Sequence, residues 1–254
     1  LELDDFLDCL KASGRSKLHI DGMRRRLRRF LEYTNGDISP KTVRSFFTLL
    51  DCSPKTRLHY FRAVKQFLKF YGLEWVMNGI SPPKVPKNEP PIVSVEDVIS
   101  DLNRLGAVSR VRASLLAYSG LREWEAGRLE WVDFDFERCR VHVRAEVAKD
   151  REERFTFIPC FFKSDLEGLK AKRYKPLEVY TLQHDMRRRG CKLTPKMFRK
   201  FFIQRLELLG VPRGVVKRIV GHRPSDIYEA HYFSVSWEDV EKFYRKIEGE
   251  ILPY

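Results

Sequence analysis

Five prolines fall within the eleven residues 81–91, SPPKVPKNEPP. A proline ring holds φ near about −65° and removes a backbone donor, so a run this dense stops a helix and has no place in a central strand. It favours an extended, semi-stiff spacer instead. Residues 1–80 and 92–254 are therefore expected to fold as separate units, joined by residues 81–91. With 254 residues and 43% hydrophobic content the chain is long enough for two packed cores.

The first unit reads as helical throughout. Breaks at Ser13-Gly14, at Asn35-Gly36-Asp37 and at Asp51-Cys52-Ser53-Pro54 divide it into four helices. In the second, Ile20, Met23, Leu27, Phe30 and Leu31 make an apolar face, and Arg24, Arg25, Arg28 and Arg29 cover another. In the fourth, Leu58, Phe61, Val64, Phe67, Leu68 and Tyr71 point inward while Arg62, Lys65 and Lys69 share one outer side. Residues 1–80 hold 15 Lys and Arg against 9 Asp and Glu, and the whole chain carries a formal +13 with a pI near 9.6. Cations concentrated in stripes on two helices suit the phosphate backbone of double-stranded DNA, gripped with little base reading. Arg24, Arg25, Arg28, Arg62, Lys65 and Lys69 are the candidate DNA contacts.

No apolar run is long enough for a membrane span and no signal peptide opens the chain, so a cytoplasmic protein is expected. The chain starts at Leu1, which leads us to expect a trimmed upstream segment. Cys9, Cys52, Cys139, Cys160 and Cys191 are odd in number and lack any C-x-x-C pair, which points to reduced thiols and no zinc site. No phosphate-binding glycine loop, serine hydrolase elbow or metal-ligand cluster is present, so no metal and no cofactor are expected. Three glutamines and four asparagines among 33% charged residues is a balance seen in heat-adapted proteins.

In the second unit, helices are expected over residues 94–105, 108–118, 166–173 and 182–189. Three short β-rich stretches, 132–136, 139–147 and 154–158, are separated by polar turns and predict a small antiparallel sheet. The fold class is thus mainly α, of the α+β kind. Ser119-Gly120 breaks a helix just before Arg122, which then stands at the next helix start, beside unpaired backbone N–H groups that also favour an anion. Thr194-Pro195 reads as a cap and first helical residue, opening a helix that holds Lys196, Arg199 and Arg205 with an apolar row. A second helix over residues 212–220 ends at Gly221-His222, and Tyr232 follows ten residues later. A cationic helix, a histidine at a helix end and a later tyrosine suit holding one phosphate and attacking it with a phenol oxygen.

Taken with Ser119-Gly120-Leu121-Arg122-Glu123-Trp124-Glu125, these residues resemble the tyrosine recombinase, or phage-type integrase, family. Its pattern is a T/S-G-L-R-x-x-E box, a hairpin lysine, an H-x-x-R box, a G-H box and a tyrosine nucleophile. Arg122, Lys149, Lys196-x-x-Arg199, Gly221-His222 and Tyr232 occur here in that order. The resemblance implies an N-terminal four-helix core-binding domain and a C-terminal catalytic domain over residues 92–254, closing on duplex DNA as a clamp. It implies a site-specific recombinase that works through a 3′-phosphotyrosine as a homo-oligomer, a tetramer on DNA. Arg122 and Arg199 would hold the phosphate, Glu125 would orient an arginine, and Lys149 would protonate the leaving 5′ oxygen. His222 would donate to the phosphate or meet the nucleophile.

Lys196 departs from the family's usual histidine and looks like the variant in integrases of archaeal viruses and plasmids; it suits charge stabilisation better than proton abstraction. Tyr228, six residues after His222, competes with Tyr232 as nucleophile. The helix expected over residues 237–248 would dock on its own domain or on a neighbouring protomer. A type IB topoisomerase and an inactive DNA-binding regulator of the same fold are the rival readings.

Overall fold

Serines open three of the four helices in the first unit. Ser16, Ser39 and Ser53 each accept a side-chain hydrogen bond from the backbone N–H three residues on, and Pro40 and Pro54 fill first helical positions. The computed structural model describes residues 1–86, 89, 91–222 and 235–252, and the chain divides into two compact units, Leu1–Pro90 and Pro91–Tyr254. Helices α1 (Leu3–Ala12), α2 (Lys17–Thr34), α3 (Pro40–Leu49) and α4 (Pro54–Phe70) make the first, and a short 3-10 turn at Glu74–Met77 follows them. Their cores meet through Leu7, Leu27, Phe30, Val43, Val64 and Phe67, all fully buried. Each such side chain contributes about 1.5–3 kcal/mol.

The outer faces of α2 and α4 are basic, with two qualifications. Arg25, Arg28, Arg29, Arg62 and Lys69 are exposed, whereas Arg24 is half-buried. Lys65 pairs with Glu74 at 3.2 Å; the pair is open to solvent and worth little, so Lys65 remains available to a stronger anion.

The second unit begins with α5 (Val95–Arg104), capped by Ser94, and α6 (Ala107–Ser119). A single helical turn, α7 (Glu123–Ala126), leads into an antiparallel sheet of β1 (Phe134–Asp135), β2 (Arg140–Val143) and β3 (Arg154–Phe157), in that order. The register pairs Val141 with both Phe134 and Thr156. Then come α8 (Lys163–Ala171), α9 (Val179–Arg188), α10 (Pro195–Leu208), α11 (Arg213–Val220) and α12 (Trp237–Ile251). Among the described residues no helix is long and apolar enough to cross a membrane.

The strands are shorter than their β-rich stretches predict, for local reasons. Residues Trp131–Asp133 form a 3-10 turn, because Asp133 accepts the Glu130 N–H at 2.8 Å and pairs with Arg144 at 2.7 Å. At the other end, the Val147 and Ala148 amides both donate to the Arg144 carbonyl, at 3.0 and 2.9 Å, and turn the chain away from the ladder. Thr194 sits at the N-cap of α10 but makes no side-chain cap; Pro195 alone carries out the predicted start.

Helix α6 packs along α10 through the middle of this unit, with Leu115, Leu116, Phe198, Phe201 and Phe202 buried. Gly120 ends α6 at φ 60°, and a methyl group there would overlap the Phe202 ring. The two helix axes close up because that side chain is absent. Gly120→Ala is expected to lower stability by about 1–3 kcal/mol, read as a drop in thermal midpoint.

The terminal helix α12 lies on its own unit. Val240, Tyr244 and Ile251 are buried, the Tyr244 hydroxyl donates to the Tyr118 carbonyl at 2.9 Å, and Arg245 donates to the Ile158 carbonyl at 2.8 Å.

Candidate active site

A helix leaves its last carbonyls without intrahelical donors, and buried ones must find others. The end of α11 solves this in two ways. Gly221 takes the left-handed conformation at φ 66°, and its amide and that of His222 fold back onto the Arg218 and Lys217 carbonyls, at 3.4 and 2.9 Å. The next three carbonyls each receive an arginine. Arg154 Nε donates to Ile219 at 3.1 Å, Arg199 Nη2 to Val220 at 2.8 Å, and Arg122 Nη2 to Gly221 at 2.9 Å. Three cations from three segments thus converge on one helix end, where the aligned peptide dipoles are negative.

Each arginine is placed by its own element. Arg199 faces inward from the middle of α10, 8% exposed, and its Nη1 donates to the Gly120 carbonyl at the end of α6. It therefore bridges two helix C-termini, and their partial charges let it stay buried without a carboxylate beside it among the described residues. Arg122 occupies the N-cap of α7, and its Nη1 donates to Glu125 Oε1 at 2.7 Å. Arg154 opens β3 and donates to Glu125 Oε2 at 2.6 Å. Gly221 is needed twice, for its backbone conformation and because a methyl group would stand 2.9 Å from Arg154 Cδ.

Glu125 is completely buried. Burial pushes its carboxyl up, but the hydrogen bonds and charges of Arg154 and Arg122 outweigh that and hold it below the usual range. Its contribution to stability is therefore complete above the ordinary value of 4.5 and fades as pH falls through the lower folded value. Glu125→Gln is expected to cost about 2 kcal/mol at neutral pH. The gap in thermal midpoint between the two proteins should narrow as pH falls below 4.5.

Around that one carboxylate the charge is strongly positive. Burial, followed by the charges of Arg122 and Arg154, lowers the Arg199 pKa to about 9, still cationic at neutral pH. Asp150 reaches Arg122 Nη2 only at 3.7 Å. His222 Nε2 lies 3.1 Å from Arg199 Nη2. A guanidinium only donates, so Nε2 accepts and Nδ1 carries the ring proton. Burial and the neighbouring cations, Arg199 first, lower the His222 pKa, and the ring is neutral at pH 7. Two forked donors and a neutral imidazole around an unbalanced positive field can bind a phosphodiester oxyanion and, once Arg199 turns from Nε2 to that oxyanion, take a proton at Nε2.

Arg122, Arg199 and His222, far apart in sequence, are thus brought together. Lys149 lies in the turn after β2; its amide donates to Glu125 Oε1 at 3.4 Å while its side chain is exposed. Lys196 is exposed on the first turn of α10 and makes no hydrogen bond or ion pair among the described residues. Tyr232 and its competitor Tyr228 lie outside the described residues. Arg24, Arg25, Arg28, Arg62, Lys65 and Lys69 belong to the other unit. The reading of the sequence missed Arg154, which looks like one more charge in the run REER.

The sequence model of the family described as archaeal phage integrase matches residues 93–248. The chain is 27% identical to the tyrosine recombinase XerA of Thermococcus onnurineus, over 98% of this chain and 97% of that protein. To the XerA of Pyrococcus furiosus it is 24% identical, over 87% of this chain and 85% of that one. Its fold is similar to that of a lambda integrase tetramer bound to a Holliday junction, with a TM-score of 0.71 at 12% identity, covering 92% of this chain and 79% of that one. It is also similar to the XerH recombinase bound to its difH substrate, with a TM-score of 0.64 at 16% identity, over 95% of this chain and 84% of that one. The family match takes in the helix end and every arginine gathered there, and on that ground the chain belongs to the archaeal phage integrase family.

Proposed function

We propose that this chain is a site-specific DNA recombinase that cuts and rejoins duplex DNA through a 3′-phosphotyrosine. The supporting observation is the convergence of Arg122 and Arg199 on the successive carbonyls of Gly221 and Val220, with His222 alongside. In that arrangement the two guanidiniums would meet the two non-bridging oxygens of one phosphate.

In the reaction, Arg199 Nη2 turns from His222 Nε2 to the phosphate, the Tyr232 oxygen forms a bond to phosphorus, and its proton passes to the freed Nε2 of the neutral His222. The bond from phosphorus to the 5′ oxygen breaks, and Lys149 protonates that oxygen. Lys196 adds positive charge. Rejoining reverses each transfer, so bond energy is kept and no ATP is consumed. Residues 92–254 form the catalytic domain. Residues 1–80 are the core-binding domain, with Arg24, Arg25, Arg28, Arg62, Lys65 and Lys69 on phosphates, and residues 81–91 are the linker.

The XerH and lambda integrase structures similar to this chain hold DNA, and the latter is a tetramer. We extend that assembly to this chain, as a homotetramer on DNA. A protomer exchanging α12 with its neighbour would re-use the face of Val240 and Tyr244 that now packs at home.

The test incubates the full chain, in EDTA, with duplex fragments of the genetic element that encodes it. Covalent protein–DNA adducts and exchange between two fragments are expected. Relaxation of any supercoiled plasmid by a monomer, without exchange, would point to a topoisomerase instead, and binding with no adduct to a regulator. Duplex affinity should drop by about 10³ between roughly 50 and 200 mM salt if six or more phosphates are neutralised.

A further inference from the structure

Arg154 has no part in the chemistry above, yet at 5% exposure it is more deeply placed than Arg199. Its three nitrogens divide between two anchors. Nη2 and Nη1 donate to Glu125 at 2.6 and 3.4 Å, and Nε donates to the Ile219 carbonyl at 3.1 Å. Glu125 passes the link on to Arg122 at 2.7 Å. The aliphatic stem of Arg154 lies against Gly221, the residue before His222. One side chain on β3 therefore ties the N-cap of α7 to the end of α11, with all three of its nitrogens taken up by these anchors.

We infer that Arg154 is a positioning residue that fixes the distance between Arg122, held through Glu125, and the helix end bearing His222. The inference rests on the proposed strand transfer. A planar fork is required because the two anchors lie in different directions. A lysine carries one compact ammonium that can satisfy the carboxylate but cannot also brace the Ile219 carbonyl in the same geometry.

Arg154→Lys and Arg154→Met separate charge from geometry. With methionine, Glu125 faces only Arg122 and the Lys149 amide, with Asp150, Arg199 and His222 farther round the cluster. It then protonates more easily. Adduct formation should therefore fail at a higher pH than in the wild-type chain, and lysine should restore the original acid limb.

The experiment uses the full-length proteins and element-derived duplex fragments first captured covalently by the wild-type chain. Arg154→Lys is expected to bind these fragments with unchanged affinity and to form adducts about 10–100-fold more slowly, the scale found when partners that orient a functional group are removed. Arg154→Lys reacting at the wild-type rate would overturn the inference and leave the proposed function intact. So would an acid limb for Arg154→Met that coincides with the wild type. If the wild-type chain captures no fragment, the proposed function falls and the inference falls with it. Should Arg154→Met fail to fold, the rate and binding of Arg154→Lys decide alone.

Discussion

Tyr232→Phe is expected to bind duplex DNA as tightly as the wild-type chain and to yield no covalent adduct. The substitution removes one oxygen, the atom proposed to bond to phosphorus, and leaves the ring. Tyr232 follows His222 by ten residues. The chain leaves α11 through the Gly221 turn with the imidazole held 3.1 Å from Arg199, at the rim of the cation cluster. Ser236 caps α12, which is anchored on α10, α11 and β3. His222 and Ser236 therefore belong to the same unit. Tyr228→Phe is the control and should form adduct at the wild-type rate. An adduct that survives in Tyr232→Phe and disappears in Tyr228→Phe would reassign the nucleophile.

Arg199→Met should retain duplex binding to within a few-fold and lose about 10²–10³ in the rate of adduct formation, as for loss of one oxyanion donor worth about 3–4 kcal/mol. Two effects add at this position. The phosphate loses a permanent charge whose cost of burial is already met by the carbonyls of Gly120 and Val220. His222 loses the donor that fixes its Nε2 as acceptor, and although burial still lowers its pKa, that pKa should move back toward the ordinary 6.5 because the cation 3.1 Å away is gone. The acid limb of the residual rate should then move upward in pH. Arg199→Lys should recover only part of the rate, since an ammonium cannot bridge two helix ends and a phosphate together. A variant reacting at full speed would place the phosphate elsewhere.

What could be read from the sequence is what depends on neighbours in the chain. The serine caps of α2, α3 and α4, the first-turn prolines of α3 and α4, the apolar rows, the left-handed glycines at 120 and 221 and the order of Arg122, Arg199 and His222 all follow from local rules. Strand ends were misjudged where a side chain captured a backbone group, as Asp133 does with Glu130. Arg154 was invisible for a different reason. A guanidinium in a charged run is indistinguishable from a solvated one until a carboxylate 29 positions away and a helix end 65 positions away are seen to enclose it. The exposure of Lys196 and the partial burial of Arg24 depend in the same way on what each helix packs against.

The gathering of three arginines at the close of α11 also bears on how such a chain can change over time. Each of those side chains donates to a different carbonyl, so altering one leaves a carbonyl without its donor, and drift there must proceed by compensated steps. Lys196, attached to nothing in this knot, is under no such restraint. A lineage can exchange its chemistry at that position while leaving the scaffold undisturbed.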